Sequence, residues 1–148
     1  MEALKSEAGA VAALLMEWRT LQQDFEQCEQ RALWLKLAAI LMCFAAFALA
    51  IDLLLVMVLL GVVWVQEAIV RTGQGRLGAR LLEVENLFQH ASPPLGAACQ
   101  LHASWQAGRA GVASLLIEYA KNAMRPTVAF PYLVLILLIA VVLLQAGA

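Results

Sequence analysis

Three groups of residues in this chain carry side chains suited to chemistry. His90, Cys99 and His102 are the first, as potential metal ligands. They are scattered around a proline pair and lack the repeated spacing that brings ligands to one point, as in CxxC or HExxH elements. Structural or solvent-facing roles are therefore expected, with no metal and no cofactor. Asp52 is the second, the lone charge between Leu37 and Gln66. Carboxylates inside a membrane often carry protons or ions. Asp is equally a turn former and N-cap, and Leu53-Leu54-Leu55 follows it, so a turn is the expected role. The third group is Glu67, Arg71, Arg76, Arg80, Glu83 and Glu85. Glu67 with Arg71 and Arg80 with Glu83 have the spacing of helical ion pairs, which predicts a solvated, self-neutralising face. Arg71, Arg76, Arg80 and Arg125 are also candidates for holding anionic lipid headgroups. The chain has no GxSxG, Walker loop or GxGxxG, and no nucleophile–base pair is legible, so no enzyme activity is expected.

The elements that position these residues follow from charge and hydropathy. The 148-residue chain is 63% hydrophobic and 14% charged, against soluble averages of about 45–50% and about 25%. Its net charge of -1 offers nothing to nucleic acid. Pro126 to the C-terminus carries no charge at all. As one helix, Leu37 to Gln66 would be about 45 Å long against roughly 30 Å of hydrocarbon, so a hairpin is expected with Asp52 at its tip. The spans expected are Ala32–Ile51, Leu53–Val70 and Thr127–Leu144. Lys36 would snorkel outward from the first. All ten basic residues, and every acidic one except Asp52, then fall on one side. The positive-inside rule puts the N-terminus and the central region in the cytoplasm and the C-terminus outside, in a cell (bacterial inner) membrane. Trp34, Trp64 and Tyr132 would form an aromatic belt near the cytoplasmic boundary. No cleavable signal is expected. The three cysteines, Cys28, Cys43 and Cys99, are expected to be reduced.

Before the hairpin, Val11, Leu14, Trp18, Leu21, Phe25, Cys28, Ala32 and Leu35 alternate spacings of three and four, a coiled-coil heptad seam. Leu77, Leu81, Val84 and Phe88 repeat that spacing after it and offer an internal antiparallel partner. Another chain is the rival partner, which makes Val11, Leu14, Trp18, Leu21 and Phe25 candidate interface residues. Ser92-Pro93-Pro94 should stop the second of these helices, and Gly73, Gly75 and Gly78 suggest a hinge within it. Leu101 to Met124 predicts a further cytoplasmic helix, interrupted near Gly108 and Gly111. Ala38, Ala39, Ala45, Ala46, Ala50 and Gly61 predict close helix packing in the hairpin. Pro126 and Pro131 would bend the start of the third span, or let it pivot against the cytoplasmic helices.

The expected fold is thus all-α, a polytopic membrane protein with three transmembrane helices continuous with a small cytoplasmic bundle. Its parts are a heptad helix (1–31), the hairpin (32–70), a cytoplasmic helical region (71–125) and the last span with a short outer tail (126–148). Over about the first ninety residues the layout loosely resembles small bacterial membrane effectors of the SLATT type, with a cytoplasmic helix, a tight two-span hairpin and a cytoplasmic extension. The third span departs from that plan. The function expected is non-catalytic: an adaptor, assembly subunit or immunity-type inhibitor working through helix–helix contacts. The alternative is a self-assembling pore. Its partners would be the lipid bilayer and another membrane protein or a second copy, with no small-molecule substrate.

Overall fold

The computed structural model describes residues 2–89, 96–107 and 111–146. Among them the regular elements are all helical: α1 (Glu2–Leu49), α2 (Leu53–Phe88), α3 (Leu101–Ala107), α4 (Val112–Ala123) and α5 (Pro126–Ala146). Three helices are long and apolar enough to cross a membrane, over Glu7–Leu49, Leu53–Phe88 and Pro126–Gln145. His90, the Ser92-Pro93-Pro94 stop, Gly108 and Arg109 lie outside the described residues.

The turn between α1 and α2 is built from Ala50, Ile51 and Asp52. Ala50 has a φ of 51°, the left-handed conformation that normally calls for glycine. The Ile51 N–H donates to the Ala46 carbonyl at 3.0 Å, which closes α1 with the six-to-one bond of a Schellman motif. Asp52 then caps α2, its Oδ1 accepting from the Leu54 N–H at 2.8 Å and the Leu55 N–H at 3.4 Å. Those N–H groups have no partner within the helix, so the carboxylate supplies one.

The chain divides into two compact units, Met1–Glu29 with Gly73–Gly111, and Gln30–Thr72 with Val112–Ala148. In the first, Leu14 and Leu21 of α1 pack with Leu81 and Val84 of α2, flanked by Trp18, Phe25, Leu77 and Phe88. The two segments run antiparallel, since Phe25 lies against Gly78 while Trp18 reaches Glu85. The glycines suggested as a hinge do not interrupt the helix. α2 is one unbroken helix through Gly73, Gly75 and Gly78, and at Gly78 an added Cβ would lie 3.3 Å from the Phe25 ring. At this position the missing side chain serves close packing.

The core of the second unit joins Ala39, Cys43 and Ala46 of α1, Val56 and Leu60 of α2, and Tyr132 and Ile139 of α5. Small residues on α1 let the helices approach, through Ala39 and Ala46; Ala38 and Ala50 are exposed, and the space beside Gly61 is open. Around this core the outward faces are apolar, as at Leu41, Phe44, Leu54, Val58, Leu133 and Leu137. The helical stretch expected between Leu101 and Met124, with an interruption near Gly108 and Gly111, is present as α3 and α4, and α4 groups with the second unit.

Candidate functional site

The densest buried polar chemistry among the described residues lies in the second unit. Along α2, Trp64, Glu67, Ala68, Arg71 and Thr72 recur at the three-and-four spacing of a single helical face. That face is turned into the protein: Glu67 and Ala68 are buried, as is Thr72. A carboxylate removed from water in this way requires charge and hydrogen-bond partners. Glu67 has three. The Tyr132 hydroxyl of α5 donates to Oε2 at 2.8 Å. The Lys36 Nζ of α1 lies 3.2 Å from Oε1, and Arg71 Nε lies 3.7 Å from it. Oε1 is held by charge rather than by a well-aligned hydrogen bond.

Lys36 also donates to the Thr127 carbonyl at 2.8 Å, and Pro131 explains why that oxygen is open. In an uninterrupted helix the Thr127 carbonyl would accept from the N–H four residues on, at position 131. Proline has no N–H there, yet α5 continues through Pro131. A charged donor from a different helix takes the place of the missing backbone donor. Lys36, expected to snorkel from the first turns of its span, ends its side chain on two acceptors, the Glu67 carboxylate and the Thr127 carbonyl at the start of α5.

The start of α5 and the end of α4 are fixed beside this cluster. Arg125 sits just before Pro126, and its carbonyl accepts from the N–H groups of Val128 (2.9 Å) and Ala129 (2.8 Å). Proline at the first helical position costs no bond. At the end of α4 the Trp64 indole N–H donates to the Ala123 carbonyl at 3.1 Å, a terminal group with no helical partner. Asn122 Nδ2 donates to Thr72 Oγ1 at 2.7 Å, and that hydroxyl donates to the Ala68 carbonyl at 2.9 Å. Trp64 stacks on Tyr132, with centroids 6.2 Å apart and planes 13° from parallel, an offset arrangement that favours both rings. Tyr132 is buried and Trp64 half-buried. Neither has the boundary exposure expected of an aromatic belt, whereas Trp34 is 70% exposed.

A second ion cluster lies in the first unit. The Arg80 guanidinium binds Glu17 in a fork, Nε to Oε1 at 2.9 Å and Nη2 to Oε2 at 3.2 Å. It also reaches Glu83 at 2.9 Å and the Ala97 carbonyl at 2.7 Å. Glu17 accepts from the Cys99 N–H at 2.8 Å as well. Burial works against the charge on Arg80, but hydrogen bonds and attraction from Glu17 and Glu83 more than offset it and hold the guanidinium above its usual range.

The candidate residues from the sequence are thus dispersed. Leu14 and Leu21 of the seam are core residues facing their own chain, Trp18 and Phe25 pack beside them, and Val11 is half-buried. Of the headgroup candidates, Arg125 is exposed, Arg71 lies beside Glu67, Arg76 lies over the Trp105 ring at 5.5 Å and Arg80 is buried. The Glu67–Arg71 and Arg80–Glu83 pairs form as spaced. The face holding them is not a wholly solvated one, because Glu67 and Arg80 point into the protein toward Lys36 and Glu17. Asp52 forms the turn. Among the described residues no three His, Cys, Asp or Glu side chains are grouped to hold a metal. Sequence reasoning missed Glu17, Lys36, Thr72, Asn122 and Thr127 as participants. Glu17 and Arg80 each flank a seam residue, where charges commonly bridge helices, and that signal was available. Comparison with known protein families, curated proteins and solved structures gives no match for this chain.

Proposed function

We propose that the protein is a three-span integral membrane protein, non-catalytic, that acts through helix–helix contact with another membrane protein. One observation carries this reading. The charged groups within the apolar part of the second unit are turned inward and matched to one another, while the outward faces present Leu, Phe and Val. The span of α2 from the Asp52 turn to Thr72 is about 28 Å, the thickness of a bilayer core. Glu67 then sits roughly 7 Å inside its inner edge. A conducting helix normally shows a polar stripe toward its pore, and here the polar groups already serve to hold α1, α2, α4 and α5 together. The surface left for function is apolar within the bilayer and mixed in the first unit. The charge distribution supports a cytoplasmic N-terminus and an external C-terminus.

Two measurements test this. A topology reporter fused after Ala148 is expected to report an extracytoplasmic C-terminus, and a cytoplasmic signal removes the three-span arrangement. Purified protein in liposomes is expected to pass no ions, and isolation from native membranes in mild detergent is expected to retain a different membrane protein in fixed proportion. Ion flux that depends on an intact hairpin, with only a self-oligomer isolated, would replace the adaptor with a pore.

A further inference from the structure

We infer that α4 is an interfacial membrane helix, lying at the cytoplasmic boundary with its apolar face in the outer acyl region of the bilayer that the spans cross. The inference rests on the membrane reading above. At about 100° per residue, Val112, Leu116, Ala120 and Ile117 fall within about 140° of the helix circumference, and Met124 continues the same face. Val112 is 73% exposed, Leu116 59%, Ile117 69% and Met124 72%. Such a row on a short helix is costly to leave in water. The opposite edge carries Ser114, Glu118 and Lys121, while Asn122 is buried and Leu115 and Tyr119 are half-buried against the protein. The helix has three sides, and one apolar side has no protein on it among the described residues.

Its position identifies lipid as the occupant. Asn122 is bonded to Thr72 and the Ala123 carbonyl to Trp64, which holds the end of α4 level with the inner edge of the hydrocarbon. Met124 after α4 and Phe130 and Leu133 on α5 are exposed apolar residues as well, and α5 is the span that directly follows α4 and that the membrane reading places in lipid. Lys121 and Arg125 lie at its margin, where anionic phosphates are found. Apolar residues on one side, cations at the edge and a depth fixed by neighbouring bonds are the marks of a helix lying in the interface.

Site-directed spin labelling of the full chain in liposomes tests this. Cys28 and Cys99 are replaced by serine, buried Cys43 is kept, and single labels are placed through Leu116→Cys, Ile117→Cys and Ser114→Cys. Labels at 116 and 117 are expected to collide with oxygen severalfold more than with a water-soluble nickel chelate, with the ratio reversed at 114. Nickel access at 116 and 117 equal to that at 114 overturns the inference, because the face is then in water. Exclusion of both reagents also overturns it, because protein then covers the face. Labels at Phe44→Cys and Leu137→Cys report on the membrane reading itself. If those meet oxygen while 116 and 117 do not, only the placement of α4 fails; if they meet nickel, the spans are not in lipid.

Discussion

Replacing Lys36 by methionine removes a charge at the centre of the polar cluster while keeping most of the side-chain volume. Two interactions are lost together. One is the charged hydrogen bond to the Thr127 carbonyl at 2.8 Å, and charge-assisted bonds of this kind contribute about 1.5–3 kcal/mol. The other is attraction to Glu67 at 3.2 Å, about 5 kcal/mol gross at an effective dielectric constant near 20. Most of that gross figure is offset by the desolvation avoided when Lys36 is absent, and Arg71 remains 3.7 Å from the carboxylate. Breaking a buried pair costs about 3–5 kcal/mol, and Lys36 keeps 21% of its side-chain exposure. The lower end, about 3 kcal/mol, is the expected total.

The share due to Thr127 is separable. Pro131→Ala restores a backbone N–H that competes with Lys36 for the Thr127 carbonyl, and by removing an interior proline it is expected to stabilise α5, by at most about 3 kcal/mol. In that background Lys36→Met no longer leaves the carbonyl unpaired, so its cost should fall by about 1–2 kcal/mol. Reversible unfolding of the four proteins in lipid bicelles, followed by Trp fluorescence or steric trapping, gives the coupling energy. If Lys36→Met costs the same in both backgrounds, within about 0.5 kcal/mol, lysine is not standing in for the missing donor.

The same unfolding assay reads the remaining predictions. Ala50→Gly should stabilise by about 0.5–1 kcal/mol by relieving a left-handed alanine, and an unchanged or lower stability contradicts the observed turn. Asp52→Ala should cost about 1 kcal/mol and Asp52→Asn almost nothing, because both Asp and Asn cap well; a large loss with Asn would point to a role for the charge. Gly73→Ala and Gly75→Ala should each stabilise by up to about 1 kcal/mol, because space beside them is open. Gly78→Ala should gain less, because its Cβ presses on Phe25. Arg80→Met should cost about 3–5 kcal/mol by leaving Glu17 buried without its partner, and a cost under about 1 kcal/mol would mean the fork contributes no more than a surface pair.

The hairpin was legible because a charge-free run too long for one span, broken by a residue that caps helices, admits few solutions. The two apolar repeats of the seam were legible from spacing, whereas their antiparallel pairing depended on α2 continuing past Gly73. Three things were not. Ala50 adopts a conformation that its side chain disfavours, so its sequence carries no turn signal. The glycines of α2 suggested a break, but the helix runs through all three, and only Gly78 is packed against a neighbour; intrinsic propensity is a weak guide within a long helix. The polar cluster was half visible: Glu67–Arg71 follows from spacing within one helix, whereas Lys36 and Tyr132 depend on how the helices align. A one-residue difference in that alignment would turn either side chain through about 100°, and spacing along one chain does not resolve it.

The position of the polar cluster has a physical rationale in the proposed bilayer setting. Within lipid there is little hydrophobic gain in bringing apolar helices together, since the tails are as apolar as leucine. From Leu133 to Leu144, α5 carries only apolar side chains, and such a rod has almost the same energy at many rotations and depths. Bonds at its inner end remove that freedom. Tyr132 to Glu67 sets the rotation, Lys36 to Thr127 sets the depth, and Trp64 to Ala123 with Asn122 to Thr72 sets the approach from α4. Placing these groups within the first turns of α5 keeps them near water during assembly, where unpaired charges are least costly. It also leaves the rest of each outward face apolar. A helix held in a single rotation presents one fixed row of side chains to its surroundings, which is the property that recognition of another membrane helix requires.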